Sequence, residues 1–375
     1  MVILKVGHKE GNLAMSDNKN VGNGSYHDNL NKENTFKLRE LISKLPKFTT
    51  TFFRGIEPTT ASRTRIAYAY DLGVFFKYIT ENNPVYKNTP VTELPLEILD
   101  QITALDIEEY LEYLSYYVKD DNEHQNKERG KMRKLATLRT LYNYFYRKEM
   151  IKTNPASIVS MPKLHQKEIV RLDIDEVASL LDEVEQGDKL TKKAKHFHDK
   201  TKKRDLALLT LLLGTGIRVS ECVGLDINDV DFKNTGIKIL RKGGKEQIVY
   251  FSDEVAETLL DYIEERKHII PETGHENALF LSLQRKRINV RSVENLVKKY
   301  SKLVTQLKNI TPHKLRSTYG TSLYRETGDI YLVASVLGHS DVNTTRKHYA
   351  AIEDEKQRLA RNQVSLREKH NRNPQ

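Results

Sequence analysis

The sequence predicts a mainly helical protein of two domains, the second carrying a small antiparallel β-sheet. The chain has 375 residues, whereas an average domain has roughly 150. Apolar residues recur at helical spacing along most of it, and one stretch, 235–251, instead alternates around a Gly-Gly turn. We therefore expect two compact units, with strands only in the second.

The first unit is expected to follow a disordered leader at residues 1–35. Residues 11–35 contain seven Asn and no apolar period, so they have little to bury. Over 36–159 we predict a purely helical domain, since no strand pattern interrupts it. Three helices account for its apolar pattern, with one beginning at Asp106, and the residues that mark the first and third are Ile66, Tyr70, Val74, Tyr78, Leu135, Leu138, Leu141 and Phe145.

A linker at 160–172 separates this unit from a second domain at 173–375. A helix is expected to start at Asp173, and the segment 205–213 is apolar nearly all round, as a central buried helix would be. The stretch 235–251 predicts a β-hairpin. Further helices are expected to begin near residues 254, 292, 312, 330 and 343.

Composition excludes several classes of protein. Lys and Arg number 61 against 51 Asp and Glu, a net charge of +10, which favours a polyanionic partner. The longest apolar stretch, 206–213, is far shorter than the ~20 residues that span a bilayer. The start of the chain has no secretory pattern, and the one cysteine, Cys222, forbids an intrachain disulfide. A cytoplasmic protein is expected, with no membrane association.

Two basic runs could neutralise phosphates. Residues 127–134 hold five basic residues and one acidic, and residues 189–204 hold seven Lys and one Arg against one Asp. Taken alone, either run is more typical of a solvated surface.

The segment TPHKLR, 311–316, predicts a helix start, with Thr311 as its cap and Pro312 as its first residue. His313 and Arg316 then lie near a helix N-terminus, where free N–H groups attract anions. Earlier in the chain, Arg218 follows the Gly-containing turn GTGI directly after the buried helix. Such a site suits an aimed guanidinium, although pairing with Glu221 is an equally open interpretation.

Further candidates lie on two turns and a short helix. Lys242 and Lys245 flank the glycines of the predicted hairpin, where a ligand could approach closely, although exposed turn lysines are common. His339 lies on a Leu-Gly-His turn. Tyr349 lies on the helix expected after it, although any one of 19 tyrosines is most often a packing residue.

Together these residues describe phosphodiester chemistry. Arg218 and Arg316 could hold the non-bridging oxygens of a phosphate and stabilise the charge that grows on them. A phenol with a pKa of about 10 is only about 0.1% ionised at pH 7, so Tyr349 would need His313 as its base. Lys242 could protonate the departing 5'-oxygen. With no carboxylate cluster suited to Mg²⁺ in the sequence, we expect neither a metal nor another cofactor.

The motifs GTGIRVSECVGL, RKGGKE, TPHKLR and LGHSDVNTTRKHYA, in this order, resemble the tyrosine recombinase (phage integrase) family, with Xer-type recombinases nearest, over about 36–360. The resemblance implies a helical, SAM-like core-binding domain and a catalytic domain of the DNA breaking-rejoining fold. It implies the following roles: phosphate clamps at Arg218 and Arg316, general acid at Lys242, acid/base residue at His313, phosphate hydrogen bond at His339 and nucleophile at Tyr349. Ser317 stands where many relatives have His.

The resemblance also implies duplex DNA as partner, cut and rejoined through a 3'-phosphotyrosine by a homotetramer on two sites, without ATP. Within the core-binding helix, Lys131, Lys134 and Arg139 are the candidate DNA contacts. The expected role is Xer-like chromosome dimer resolution. The sequence leaves open an integrase of a mobile element or phage, a catalytically silent DNA-binding protein, and a topoisomerase of related chemistry. It also leaves open the target site, the need for a second recombinase and activation by a septal DNA translocase.

Overall fold

A computed structural model describes residues 26–119, 121–164, 170–241, 244–338 and 342 of the chain. Its buried apolar side chains form two main cores, one drawn from residues 38–159 and the other from residues 172–315. A small third cluster, within 324–337, lies under the last described helix. The mainly helical fold, with a small antiparallel sheet in the second domain, is the one that the sequence predicts.

The first core is built mostly from helices. They are α1 (Tyr26–Ile42), α2 (Thr49–Gly55), α3 (Ser62–Asn82), α4 (Ile98–Gln101), α5 (Ala104–Tyr113), α6 (Glu128–Arg147) and α7 (Pro155–Ile158). A two-stranded antiparallel hairpin, β1 (Tyr117–Lys119) and β2 (Asn122–His124), joins α5 to α6. The expectation of a strand-free domain is therefore wrong, because a strand pair of three residues each is too short to produce a visible alternation.

The predicted leader is partly structured. Residues 26–35 belong to α1, whereas residues 1–25 lie outside the described part of the chain. The polar side chains that suggested disorder instead dock the helix, since Asn34 donates to the Ser62 hydroxyl (3.2 Å) and that hydroxyl donates to Asn31 (3.3 Å). Leu38, further along α1, is buried in the first core. Tertiary contacts rather than local pattern thus stabilise this helix.

Helix α5 begins earlier than the sequence suggests. Thr103 is the cap, and its hydroxyl and backbone N–H exchange hydrogen bonds with Asp106, the residue that we expected to start the helix. Asp106 therefore occupies the third position of a capping box. Val118, which follows α5 in the chain, lies in β1 and is exposed.

Helix α6 runs through the first core, as its apolar period predicts, with Leu135, Leu138, Leu141 and Phe145 all buried. Its charged residues are less readily assigned from sequence. The Asp71 carboxylate of α3 is buried and accepts hydrogen bonds from Arg133 (2.5 Å), Lys134 (3.1 Å) and Thr137 (3.0 Å). Lys134, a predicted DNA contact, has its ammonium buried in this cluster, and a DNA contact at this residue remains a prediction.

The second core is formed by α8 (Ile174–Gln186), α9 (Lys192–His198), α10 (Lys202–Thr215), α11 (Val219–Gly224), α12 (Asp253–Lys267), α13 (Val290–Val304), α14 (Pro312–Thr327) and α15 (Ile330–Leu337). A three-stranded antiparallel sheet accompanies them, in the order β3 (Val230–Asp231), β4 (Gly236–Leu240) and β5 (Glu246–Tyr250). The helix expected near residue 343 falls outside the described residues.

Helix α10 occupies the centre of this core, as predicted, with Leu208, Leu209 and Leu211 fully buried. The predicted hairpin is the pair β4 and β5, in which Ile237 faces Val249 across the ladder. These elements place the ends of α10 and β4 close to α15, where the site described below lies.

Helix α1 also reaches the second domain at its first turn. The Arg287 guanidinium lies over the Tyr26 ring, 4.8 Å from its centroid, and His27 lies against Gly224 at the end of α11. Burial and, to a smaller extent, Arg287 lower the pKa of His27, so the neutral imidazole is favoured at this contact. One helix therefore contacts both domains.

Within the described residues, no helix is long and apolar enough to span a bilayer.

Replacing the buried carboxylate of the first core should destabilise the protein. We expect Asp71→Asn to lower the free energy of unfolding by on the order of 3 kcal/mol, since it leaves the Lys134 ammonium buried without its counter-charge. Urea unfolding followed by circular dichroism measures this. Glu108→Gln removes an exposed carboxylate of the same domain and should change the free energy by less than about 0.5 kcal/mol. Equal effects of the two substitutions would contradict the buried ion pair.

Candidate active site

Arg218 lies at the turn between α10 and α11. The turn needs Gly216, whose φ of +61° is left-handed and whose hydrogen faces Tyr319 and Leu337 so closely that a Cβ would overlap both. The Arg218 guanidinium donates to Glu221 (2.8 Å) and to the Gly338 carbonyl (3.3 Å). Its side chain stays 38% exposed, so the Glu221 pair that the sequence left open coexists with access from solvent.

Arg316 lies on α14, one turn into the helix that Thr311 and Pro312 begin as predicted. Unlike Arg218 it is buried, and its two terminal nitrogens donate to the carbonyls of Gly216 (2.6 Å) and Leu337. It thereby joins the turn that carries Arg218 to the end of α15. His313 is exposed on the first turn of α14, and its carbonyl accepts from the Ser317 hydroxyl (3.1 Å).

A third arginine, Arg241, is not among the residues that the sequence singles out. It directly follows β4, is 8% exposed, and donates to the carbonyls of Leu337 (2.7 Å) and Val336 (2.8 Å). Glu221 lies 3.8 Å from the same guanidinium. Burial lowers the pKa of Arg241, as Arg218 does to a smaller extent, while Glu221 opposes the shift. The only signal in the sequence is an arginine beside a predicted turn, and the lysine that follows it there is the more evident candidate.

The three arginines form one cluster, which we call the arginine triad: Arg218, Arg241 and Arg316. They donate to three consecutive carbonyls at the C-terminal end of α15, those of residues 336, 337 and 338. Carbonyls there have no partner within the helix and carry the negative end of its dipole. With three guanidiniums against the one Glu221 carboxylate, this network of described residues has an excess of positive charge and suits an anion.

Glu221 has a cysteine beside it. Cys222 is fully buried on α11, and burial raises the pKa of its thiol well above the ordinary value. Reactive cysteines have exposed, stabilised thiolates, which this residue lacks. Among the described residues, no group of three His, Cys, Asp or Glu side chains lies close enough together to hold a metal ion.

The remaining predicted site residues, Lys242, His339 and Tyr349, lie outside the described part of the chain. The residues that directly precede Lys242 and His339 are described. Arg241 immediately precedes Lys242, and its backbone N–H donates to the Lys245 carbonyl (2.8 Å), which closes the hairpin turn. Lys245 itself is exposed. Gly338, which ends α15 with a φ of +60°, immediately precedes His339.

The two other candidate DNA contacts on α6 are both engaged in the first domain. Lys131 donates to the Ser115 hydroxyl (2.7 Å) and stays partly exposed. Arg139 donates to the carbonyls of Ala156 (3.0 Å) and Val159 (2.6 Å), at the end of α7. Arg139 therefore has a structural role, whereas Lys131 has an ammonium that solvent still reaches. A DNA contact at either remains a prediction.

The lysine-rich stretch 189–204 is folded. It forms α9 and the start of α10, and the lysines at 192, 193, 195, 200, 202 and 203 are exposed. His198 anchors it, because its buried ring lies 3.0 Å from the Tyr300 hydroxyl, which donates to Asp205 (3.2 Å). The run thus forms parts of two helices whose lysines are exposed to solvent.

Removing the shared carboxylate of the triad should cost stability. We expect Glu221→Ala to lower the free energy of unfolding by on the order of 3 kcal/mol, because Arg241 then loses its only nearby carboxylate among the described residues. Urea unfolding gives the value. Glu264→Ala breaks an exposed pair with Lys267 and should cost less than about 1 kcal/mol. A Glu221→Ala value as small as the control would mean that Glu221 does not support the cluster.

Comparison with known proteins agrees with this geometry. Residues 170–356 match the model of the phage integrase family. The chain is 34% identical over 316 residues to tyrosine recombinase XerC of Caldanaerobacter subterraneus, covering 82% of this chain and 80% of that protein. It is 30% identical over 326 residues to tyrosine recombinase XerS of Streptococcus agalactiae, covering 78% of this chain and 91% of that one.

Two solved structures share the fold. One is the XerH site-specific recombinase bound to palindromic difH substrate, with a TM-score of 0.58 and 20% identity, covering 88% of this chain and 93% of that chain. The other is a lambda integrase dimer bound to a core site, with a TM-score of 0.56 and 16% identity, covering 80% of this chain and 93% of that chain. From the sequence matches, together with the arginines that the fold brings to one helix end, we conclude that the chain belongs to the phage integrase family of tyrosine recombinases.

Proposed function

We propose that this recombinase cuts and rejoins duplex DNA at a specific site through a 3'-phosphotyrosine, in a Xer-like role in chromosome dimer resolution. The observation that carries the proposal is the arginine triad, in which a partly exposed Arg218 and a buried Arg316 meet at the end of α15. Relatives named XerC and XerS, at 30% identity or more, support the Xer-like role. The reaction would take place in the cytoplasm, with the chromosome.

The arginines would act on the non-bridging oxygens of the scissile phosphate. Arg218 has solvent access, and Glu221 fixes its orientation through a 2.8 Å hydrogen bond. Arg316 is held between Gly216 and Leu337, so it needs no reorganisation to stabilise charge that develops next to it. Loss of one such fixed donor typically costs about 100- to 1000-fold in rate.

The other roles follow from the chemistry of each group. Tyr349 would attack phosphorus, and His313, exposed on the first turn of α14, would accept the phenol proton. Lys242 would protonate the departing 5'-oxygen, and His339 would hydrogen-bond a phosphate oxygen. The phosphodiester energy is conserved in the tyrosine ester, so religation needs no nucleotide triphosphate.

Exchange of each pair of strands needs two cleavages and two religations, and two duplex sites have two such pairs. Four protomers on two sites would therefore carry out the complete exchange. Recombinases bound to DNA are among the structures that share this fold, which supports duplex DNA as the partner. The basic excess of the chain, +10, supplies the general attraction to phosphate.

The target site can be identified from the DNA that the protein captures covalently. Sheared genomic DNA is incubated with the protein in EDTA without nucleotide triphosphates, and the DNA left covalently attached after denaturation is sequenced. A single recurring sequence is expected. The absence of any attached DNA would contradict the proposal, and a site at the end of a mobile element would indicate an integrase instead.

Tyr349→Phe should abolish attachment while leaving DNA affinity within about two-fold, because the hydroxyl is the nucleophile but a small part of a phosphate-dominated interface. A nicked duplex of the recovered site traps the intermediate for a denaturing gel, and fluorescence anisotropy measures the affinity. Another exposed tyrosine, Tyr331→Phe, is the matched control and should cleave normally. An adduct formed by Tyr349→Phe would mean that another residue is the nucleophile.

The general acid can be distinguished from its neighbour on the turn. A sulfur in place of the 5'-oxygen leaves without protonation, so a 5'-bridging phosphorothioate should restore cleavage to Lys242→Ala and do little for Arg218→Ala. Single-turnover rates on the two substrates measure this. If Lys245→Ala is the variant rescued, and Lys242→Ala stays active on ordinary DNA, the proton donor is Lys245.

A further inference from the structure

Arg241 connects two segments that are almost a hundred positions apart in the chain. Its own position is fixed by β4, since its backbone N–H and carbonyl both take part in closing the hairpin turn, with Lys245 and Gly244. Its guanidinium is fixed by α15, whose last carbonyls accept from both terminal nitrogens. The hairpin and the end of α15 are therefore tied together by one side chain.

The contact with α15 is close as well as polar. Gly338 leaves room for the guanidinium, because a Cβ there would lie 2.5 Å from one terminal nitrogen of Arg241 and 2.6 Å from its central carbon. The left-handed φ of Gly338 turns the chain at this point. The backbone at Gly338 therefore packs directly against the Arg241 side chain.

Stability alone does not explain a charged group at this position. A guanidinium that is 8% exposed has lost most of its hydration, and its carboxylate neighbour Glu221 lies 3.8 Å away and is bonded more closely to Arg218. A buried ion pair can often be replaced as a whole by apolar residues of similar volume at no cost in stability, so its presence is weak evidence of a stabilising role. What an apolar residue could not do is hold the carbonyls of Val336 and Leu337 at a set distance from β4.

We propose that Arg241 is a positioning residue for the recombination reaction, holding the end of β4, which continues into Lys242, in register with the end of α15, which continues into His339. This inference rests on the proposed function, which assigns Lys242 as the general acid and His339 as a residue that hydrogen-bonds a phosphate oxygen. Arg241 is buried and does not itself touch the DNA. Its loss acts on the chemical step through the groups that it aligns, and misplacement of about 1 Å can cost on the order of 100-fold.

Arg241→Met tests this. It keeps the length of the side chain and removes all its donors. On a nicked duplex of the recovered site, the single-turnover rate of adduct formation should fall about 10- to 100-fold, while the Kd for DNA stays within about two-fold. A 5'-bridging phosphorothioate should recover most of that loss, because it removes the need for the acid that Arg241 aligns. Arg241→Lys has one ammonium in place of the two donating nitrogens, so its rate of adduct formation should lie between those of the wild type and Arg241→Met.

Arg266→Met is the matched control. Arg266 is also buried, burial lowers its pKa too, and it also donates to backbone carbonyls, those of Glu276 (2.9 Å) and Ala278 (3.3 Å). Its contacts lie within the second domain but away from the triad. Arg266→Met should lower the unfolding midpoint as Arg241→Met does. The folded variant should form the adduct at the wild-type rate on both the ordinary and the 5'-bridging phosphorothioate duplex.

The outcomes separate this inference from the proposed function. If the wild type forms no adduct, the proposed function fails and this inference with it. If the wild type forms adduct and Arg241→Met and Arg241→Lys cleave within two-fold of it, only the positioning role is wrong. The positioning role is also wrong if an Arg241 variant is slow and the 5'-bridging phosphorothioate does not restore its rate. It is wrong as well if Arg266→Met slows adduct formation as much as the Arg241 variant does. Should Arg241→Met not fold, the Arg241→Lys rate on the two substrates decides in the same way.

Discussion

The second domain depends on three guanidiniums that share the C-terminal carbonyls of one short helix. Arg218, Arg241 and Arg316 come from different elements, and each donates to the last carbonyls of α15. The guanidiniums repel one another, and this is offset by the helix dipole and by Glu221. Because every partner is fixed, the turn after α10, the hairpin and α14 have one mutual arrangement. A change in any of the three arginines is therefore felt by the other two.

The sequence predicted the elements whose residues have local reasons for their positions. Helix α6 and helix α10 bury apolar residues at helical spacing, and the alternation around the Gly-Gly turn indicated the hairpin. Thr311 and Pro312 likewise indicated the start of α14. In the site, Arg218 and Arg316 could be chosen because a turn glycine and a helix cap mark their surroundings. Such signals lie within a few residues of the position that they explain.

Features that depend on distant partners could not be predicted in this way. Lys134 lies in a basic run, yet its counter-charge, Asp71, is 63 positions away, so a buried pair looked like a surface charge. Arg241 bonds to carbonyls 95 and 96 positions later, and nothing in its neighbours signals them. The start of α1 looked disordered because its support, from Ser62 and Arg287, lies on other elements. Each of these features depends on a long-range contact that local spacing does not encode.

The burial of Cys222 has a practical consequence for measuring how the two domains move relative to each other. It is the one thiol in the chain, and it is fully buried within the folded second domain. A single cysteine introduced at an exposed position of either domain would therefore react with a maleimide dye while the native thiol stays protected. Pairs of such positions, one on each domain, would report the distance between the domains by energy transfer, with no need to remove the natural cysteine beside Glu221.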